Sequence, residues 1–137
     1  MKNIKTVLAR CPLFSGFSES AIDDLEGIAR IRRFEANELI YSKGSAISTL
    51  NIIASGVVRI SSVNPAGREA TLIMFSAGTW FGDSVFSPGM RRVYGATAHE
   101  AVTLIEIPGE AFRELMATYP ESYPVILDMV SRRLWAA

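Results

Sequence analysis

The chain has 137 residues, with 14 basic and 14 acidic side chains for a formal charge of zero, 49% hydrophobic residues and 20% charged ones. That is long enough for one domain with a sizeable core, and the composition is that of an ordinary folded domain. The balanced charge argues against a free-standing nucleic-acid binder, which normally carries a basic excess, and the single Cys11 excludes an internal disulfide framework.

The opening stretch, MKNIKTVLARCP, holds no apolar run long enough for a signal peptide or a membrane span. With one unpaired cysteine this predicts a cytoplasmic protein without membrane attachment. The first thirty residues read as helices: Val7 and Leu8 form a short apolar patch, and Pro12 marks a boundary. Ser18 has the chemistry of an N-cap, with Phe17 before it and Ile22 after it placed as a hydrophobic staple. Ile22, Leu25, Ile28 and Ala29 share one helical face, while Asp23, Asp24 and Glu26 form a solvated one.

From Ile31 to Ile107 the pattern changes to short strands separated by turn residues at even spacing, the signature of a sandwich or barrel. Leu39-Ile40-Tyr41 runs into Lys43-Gly44, and Leu50 to Ile53 runs into Ser55-Gly56. Val57 to Val63 leads through Asn64-Pro65-Ala66-Gly67, which has hairpin-loop chemistry, to a return strand over Ala70 to Phe75. The apolar residues of that return strand do not alternate cleanly, which predicts burial on much of both faces. Ala96 to Ala98 and Ala101 to Ile107 read as a final strand pair around His99-Glu100. Gly44, Gly56, Gly67 and Gly78 recur every 11 or 12 residues, as expected of a coiled ribbon that turns a corner at each.

After Pro108 the chain returns to helix. Phe112, Leu115 and Met116 share a face, and Pro120 or Pro124 suits the first turn of a last helix. There Tyr123, Ile126, Leu127, Val130 and Leu134 make an apolar stripe that requires a partner: the β region, or a second helix in a dimer.

With one histidine, one cysteine and no Gly-x-Ser-x-Gly elbow, nucleophilic catalysis has little to build on. Nor do His99 and Cys11 suffice for a metal or iron–sulfur centre, and His99 is expected to be an exposed loop residue. The stretch FGDSVFSPGMRRVYGATA, Phe81 to Ala98, is richer. Gly82 allows close backbone approach, Asp83 offers an acceptor for a hydroxyl, and Arg92 supplies a planar fork of donors suited to a phosphate. Adjacent arginines such as Arg91 and Arg92 more often form a solvated loop pair. The company of Gly82, Asp83 and the Ser87-Pro88-Gly89 turn inside a β-roll pattern favours an anion site instead.

On these residues the chain resembles the cyclic-nucleotide-binding domain family, and within it the N-terminal sensor domain of CRP/FNR-type transcription regulators. The resemblance runs from CPLFSGFS through ELIYSKGS and IIASGVVRI to the Phe81-Gly82-Asp83 cassette, nearly the whole chain. It implies a mainly-β fold with flanking helices: a double-stranded β-helix, or jelly-roll-like β-roll, over about 31–107, N-terminal helices over about 1–30 and C-terminal helices over 109–137. It further implies a non-enzymatic sensor whose cassette, Gly82, Asp83, Ser84, Arg92, Val93 and Tyr94, holds a small-molecule effector, either a cyclic nucleotide (cAMP or cGMP) or another small anion. Gly82 would offer backbone, Asp83 would meet a ribose hydroxyl and Arg92 would hold the phosphate. Val93 replaces the family's Ser or Thr, Tyr94 replaces a small residue, and Asp83 is one methylene shorter than the usual glutamate. Losing a hydroxyl donor to a charged phosphate costs about 1.5–3 kcal/mol, so Val93 and Tyr94 argue that the ligand has changed or gone. The other reading is a structural or dimerisation module with a vestigial pocket, or a sensor of a non-nucleotide small molecule. The apolar stripe of the last helix leaves a homodimer through that helix open. No helix-turn-helix pattern follows Trp135, so DNA contact is expected only through a domain absent from these 137 residues.

Overall fold

The computed structural model describes residues 3–45, 48–63, 65–82, 92 and 94–136, with Val63 and residues 134–136 as backbone only. Helix α1 (Ile4–Arg10) begins at Asn3, whose side chain accepts from the Lys5 amide. A single 3₁₀ turn, Pro12–Phe14, follows. Helix α2 (Glu19–Ile28) starts as its sequence requires, with the Ser18 hydroxyl accepting from the Ala21 amide at 3.1 Å. Phe17 and Ile22 pack in the same apolar cluster.

Eight strands follow among the described residues: β1 (Arg30–Phe34), β2 (Leu39–Tyr41), β3 (Thr49–Ser55), β4 (Val57–Val63), β5 (Glu69–Ser76), β6 (Trp80–Phe81), β7 (Gly95–Ala98) and β8 (Val102–Pro108). They form two antiparallel four-stranded sheets, in the orders β1-β8-β3-β6 and β2-β7-β4-β5. Apart from the β4–β5 hairpin, each strand hands the chain to the opposite sheet, which makes a β-roll. Gly44, Gly56, Gly67 and Gly78 all have positive φ. At Gly56, between β3 and β4, a Cβ would strike the carbonyl oxygen of Ala101, so no other residue lets the ribbon turn there.

Helix α3 (Gly109–Thr118) buries Phe112, Leu115 and Met116, as their spacing predicts. A Pro120–Ser122 turn leads into α4 (Tyr123–Ala136). The helices cover the outer face of the first sheet, which is therefore buried on both sides. Leu50, Ile52, Ile105 and Ile107 point to the helices, joining Leu8, Phe14 and Phe112. Ile53, Val102 and Leu104 point inward to Val58, Ile60, Phe81, Ala96 and Ala98 between the sheets. Removing one Leu or Phe side chain from water in this way contributes roughly 1.5–3 kcal/mol.

Two expectations need correction. β5 is not buried on both faces: it is the edge strand of the second sheet, and Leu72, Ile73 and Met74 are exposed. An irregular apolar pattern shows that a strand is apolar, not that a layer covers it. The segments flanking His99-Glu100 do not pair with each other. β7 lies between β2 and β4, whereas β8 lies between β1 and β3, so the turn is a corner between sheets. The stripe on α4 is also divided: Ile126 and Val130 pack on the helical core, whereas Tyr123 and Leu127 are exposed. The side chain of Leu134 lies outside the described residues.

Candidate functional site

At one end of the space between the sheets the apolar filling gives way to polar groups. The inward positions of β1 and β8 end in Arg30, Arg32 and Glu106, those of β3 in Asn51 and Thr49, and the turn after β2 adds Ser45. These groups surround a cavity of about 640 Å³ lined by Arg30, Arg32, Tyr41, Ser45, Thr49, Arg92 and Glu106, with Leu39, Ile40 and Ser42 on its rim.

Arg92 is held there by its backbone. The Gly44 amide donates to the Arg92 carbonyl at 2.7 Å, and the Arg92 amide donates to the Ser45 carbonyl at 3.2 Å. That ladder to the Lys43-Gly44 turn sends the side chain between the sheets, where the residue is only 7% exposed. Its guanidinium lies 3.6 Å from the centre of the Tyr41 ring, a cation–π stack, and one terminal nitrogen donates to the Thr49 hydroxyl at 2.8 Å. Its Nε finds no hydrogen-bond partner among the described residues, and neither does the Ser45 hydroxyl. Burial lowers the pKa of Arg92, opposed by the nearby Tyr41 and Glu106. The Thr49 Oγ1 already accepts from Arg92 and from the Asn51 amide nitrogen, so its own proton is free to be donated.

The cavity's other charges are paired. Glu106, 5% exposed, accepts from the Arg30 Nε at 2.7 Å on one oxygen and from Arg32 at 3.2 Å on the other. The site thus presents a buried cation that bonds no carboxylate among the described residues, with hydroxyls beside it, and on the strands adjoining Thr49 a carboxylate bracketed by two arginines. Such an arrangement binds anions.

The cassette residues fall out as follows. Gly82 sits at φ 106°, and a Cβ there would strike the Thr49 carbonyl oxygen, so its lack of a side chain lets the chain leave β6 against β3. Arg92 reaches the cavity. Tyr94 is half-buried against the apolar cluster between the sheets. Asp83, Ser84, Arg91 and Val93 lie outside the described residues. The sequence reading missed Thr49, Ser45, Asn51, Tyr41 and the Arg30–Glu106–Arg32 group. One signal was present: Glu106 is a lone charge in the apolar run LIEIP, and Arg30 and Arg32 alternate with the same period as Phe34.

Other reactive groups stand apart. Cys11 is buried in the cluster beneath the helices, and burial pushes its thiol up to about 11. His99 is exposed, its Nδ1 3.2 Å from Arg59. No group of three or more metal-binding side chains occurs among the described residues, nor is any helix there long and apolar enough to cross a membrane.

Known proteins agree with this architecture. The chain is 33% identical over 129 residues to a CRP-like cAMP-activated global transcriptional regulator of Mycobacterium tuberculosis, covering 93% of this chain and 57% of that protein. It spans about half the length of the curated relatives it matches. The catabolite activator protein of Thermus thermophilus superposes with a TM-score of 0.79 at 27% identity, over 91% of this chain and 59% of that one. The sensor domain of the transcriptional regulator DNR from Pseudomonas aeruginosa shares the fold, with a TM-score of 0.84 at 19% identity over 95% of this chain and 87% of that one. Residues 31–119 match the cyclic nucleotide-binding domain model. With its two crossed-over sheets and flanking helices, the chain belongs to the cyclic nucleotide-binding domain family, and its relatives include CRP-like transcription regulators.

Proposed function

We propose that this chain is the effector-sensing domain of a CRP/FNR-type regulator and that its effector is a small anion held by Arg92, Thr49 and Ser45. The observation that carries this reading is the guanidinium of Arg92, buried in an open cavity with an unsatisfied Nε and no carboxylate bonded to it among the described residues. An uncompensated buried cation is costly, and an anion is what relieves it. The hydroxyls of Thr49 and Ser45 supply the donors that Val93 no longer can.

The effector class includes a cyclic nucleotide, because the Mycobacterium tuberculosis relative is described as cAMP-activated. In that case Gly82 offers backbone to the ligand, Asp83 meets the ribose hydroxyl and Ser84 completes the cassette, while Val93 and Tyr94 weaken the fit. No catalytic step belongs to this reading. Calorimetric titration with cAMP, cGMP and inorganic phosphate tests it, with Arg92→Ala as control. Saturable heat that disappears in Arg92→Ala supports the site; no heat from any anion at millimolar concentration refutes it.

One observation favours association as a second role. Leu72, Ile73 and Met74 on the edge strand β5 are exposed, as are Tyr123 and Leu127 on α4. Exposed apolar residues on an edge strand and on a helix are the materials of a homodimer contact. Sedimentation velocity across concentrations, with Leu127→Glu as control, checks it: a dimer lost in the variant is the expected result, and a monomer throughout rejects it.

A further inference from the structure

The cavity's two charge centres differ in kind and in place: one lies outside the strands, the other on β1 and β8. Arg92 is buried and bonded to no carboxylate among the described residues, whereas Arg30 and Arg32 are on β1, with side chains 61% and 46% exposed, bracketing Glu106. Among the described lining residues there are three guanidinium groups against one carboxylate. The Glu106 carboxylate neutralises one of its two arginines, so the β1–β8 wall retains one positive charge and Arg92 contributes another. A ligand with a single anionic group answers Arg92 and leaves the β1–β8 wall facing water. The wall's spare donors are real: Glu106 engages one nitrogen of Arg32, and a guanidinium carries five N–H groups.

We infer that the cavity takes a small organic molecule with two separated anionic groups, one seated on Arg92, Thr49 and Ser45 and the other on the Arg30–Arg32 pair. The inference rests on the anion site proposed above and deepens it, assigning Arg30 and Arg32 as specificity residues. Glu106 then has a positioning role: it fixes both side chains at the mouth and prevents their collapse onto a ligand that bears only one charge. Two arginines sharing a carboxylate lose less conformational freedom on binding than free ones, because they are already ordered.

The test compares matched probes on the 137-residue chain by calorimetry at low salt. The probes are 3-phosphoglycerate against glycerol 3-phosphate, and succinate against propionate. In each pair the molecule with two anionic groups is expected to bind about tenfold tighter or more, as a second ion pair in a partly desolvated site provides. Arg32→Ala should bring the paired affinities to within about threefold of each other by weakening the two-anion member of each pair most, and Arg32→Lys should restore part of the gap. Arg92→Ala should weaken all four probes. Thermal melts of each variant establish that it is folded. If neither pair shows a preference while glycerol 3-phosphate still binds through Arg92, the second subsite is refuted and the anion site stands. If Arg32→Ala leaves the preference intact, the assignment of the wall is refuted. If no probe and no cyclic nucleotide binds, both readings fall together.

Discussion

The space between the two sheets has two ends built from the same strands, and they behave as different materials. On β1 the inward residues run Arg30, Arg32, Phe34; on β8 they run Glu106, Leu104, Val102, in register with them. Four residues along, a strand crosses from charge to hydrocarbon without any change in backbone pattern. At the apolar end Phe34, Leu104, Val102, Ile53 and Val58 close the roll. At the other end Arg92 enters from the cassette and the roll stays open. Stability resides at one end and the proposed recognition at the other, so substitutions should separate them.

The largest effect is expected at the closed end. Leu104 is fully buried, and Leu104→Ala should cost about 3 kcal/mol or more, read as a lower urea midpoint, because a cavity replaces packed side chain. Anion affinity measured well below the unfolding transition should stay within about threefold of wild type. If affinity collapses as well, the two ends are not separable.

Gly82→Ala attacks the joint between them. At φ 106° and against the Thr49 carbonyl, an added Cβ should cost about 2–3 kcal/mol, and it should displace Thr49 from Arg92, so stability and anion affinity fall together. Unchanged affinity would show that Thr49 is not a ligand-facing group.

Cys11 sharpens the comparison from beyond the first sheet. Burial raises its thiol from 9.0 to about 11, so the protonated form is favoured by folding. Its contribution is present below pH 9 and is lost as pH rises through about 11, amounting to about 2–3 kcal/mol. The excess in urea midpoint of wild type over Cys11→Ala should fall between pH 8 and 11 as the thiol ionises, while anion affinity follows neither. Equal pH dependence in both proteins would show that the thiol is not the group responsible.

The smallest change in stability belongs to Arg92→Met, and its sign is the informative part. Replacing a buried cation that bonds no carboxylate among the described residues with a similar-sized apolar chain should leave stability within about 1 kcal/mol of wild type or raise it, while anion binding is lost. A marked loss of stability would mean that Arg92 serves the fold rather than a ligand.

Local chemistry made much of this architecture legible. Ser18 capped its helix, the spaced glycines turned their corners, and Phe112, Leu115 and Met116 marked the buried side of α3. What escaped depended on contacts distant in sequence. Nothing near Leu72 says that β5 is an edge, and nothing between Ala98 and Val102 says that the two strands belong to different sheets. The site divided along the same line. Arg92 stood out because it follows the Phe81-Gly82-Asp83 cassette inside a β-roll pattern, whereas Thr49 and Glu106 matter only because pairing β3 and β1 with β8 brings them beside it. Asp83, Ser84 and Val93 lie outside the described residues, so their roles rest on the sequence alone.

Strand β6 is only two residues long, and each of them looks in a different direction. Phe81 faces the space between the sheets, while the Trp80 ring faces α4, 3.4 Å beneath the guanidinium carbon of Arg133. Trp80 is separated from Gly82 by two peptide units, at most about 7 Å of chain. An indole stacked under a cation emits differently from one that has lost it, so this strand carries its own optical reporter. With Trp135→Phe removing the second indole, a change in Trp80 emission on adding anion would register movement between the roll and its last helix without any attached label.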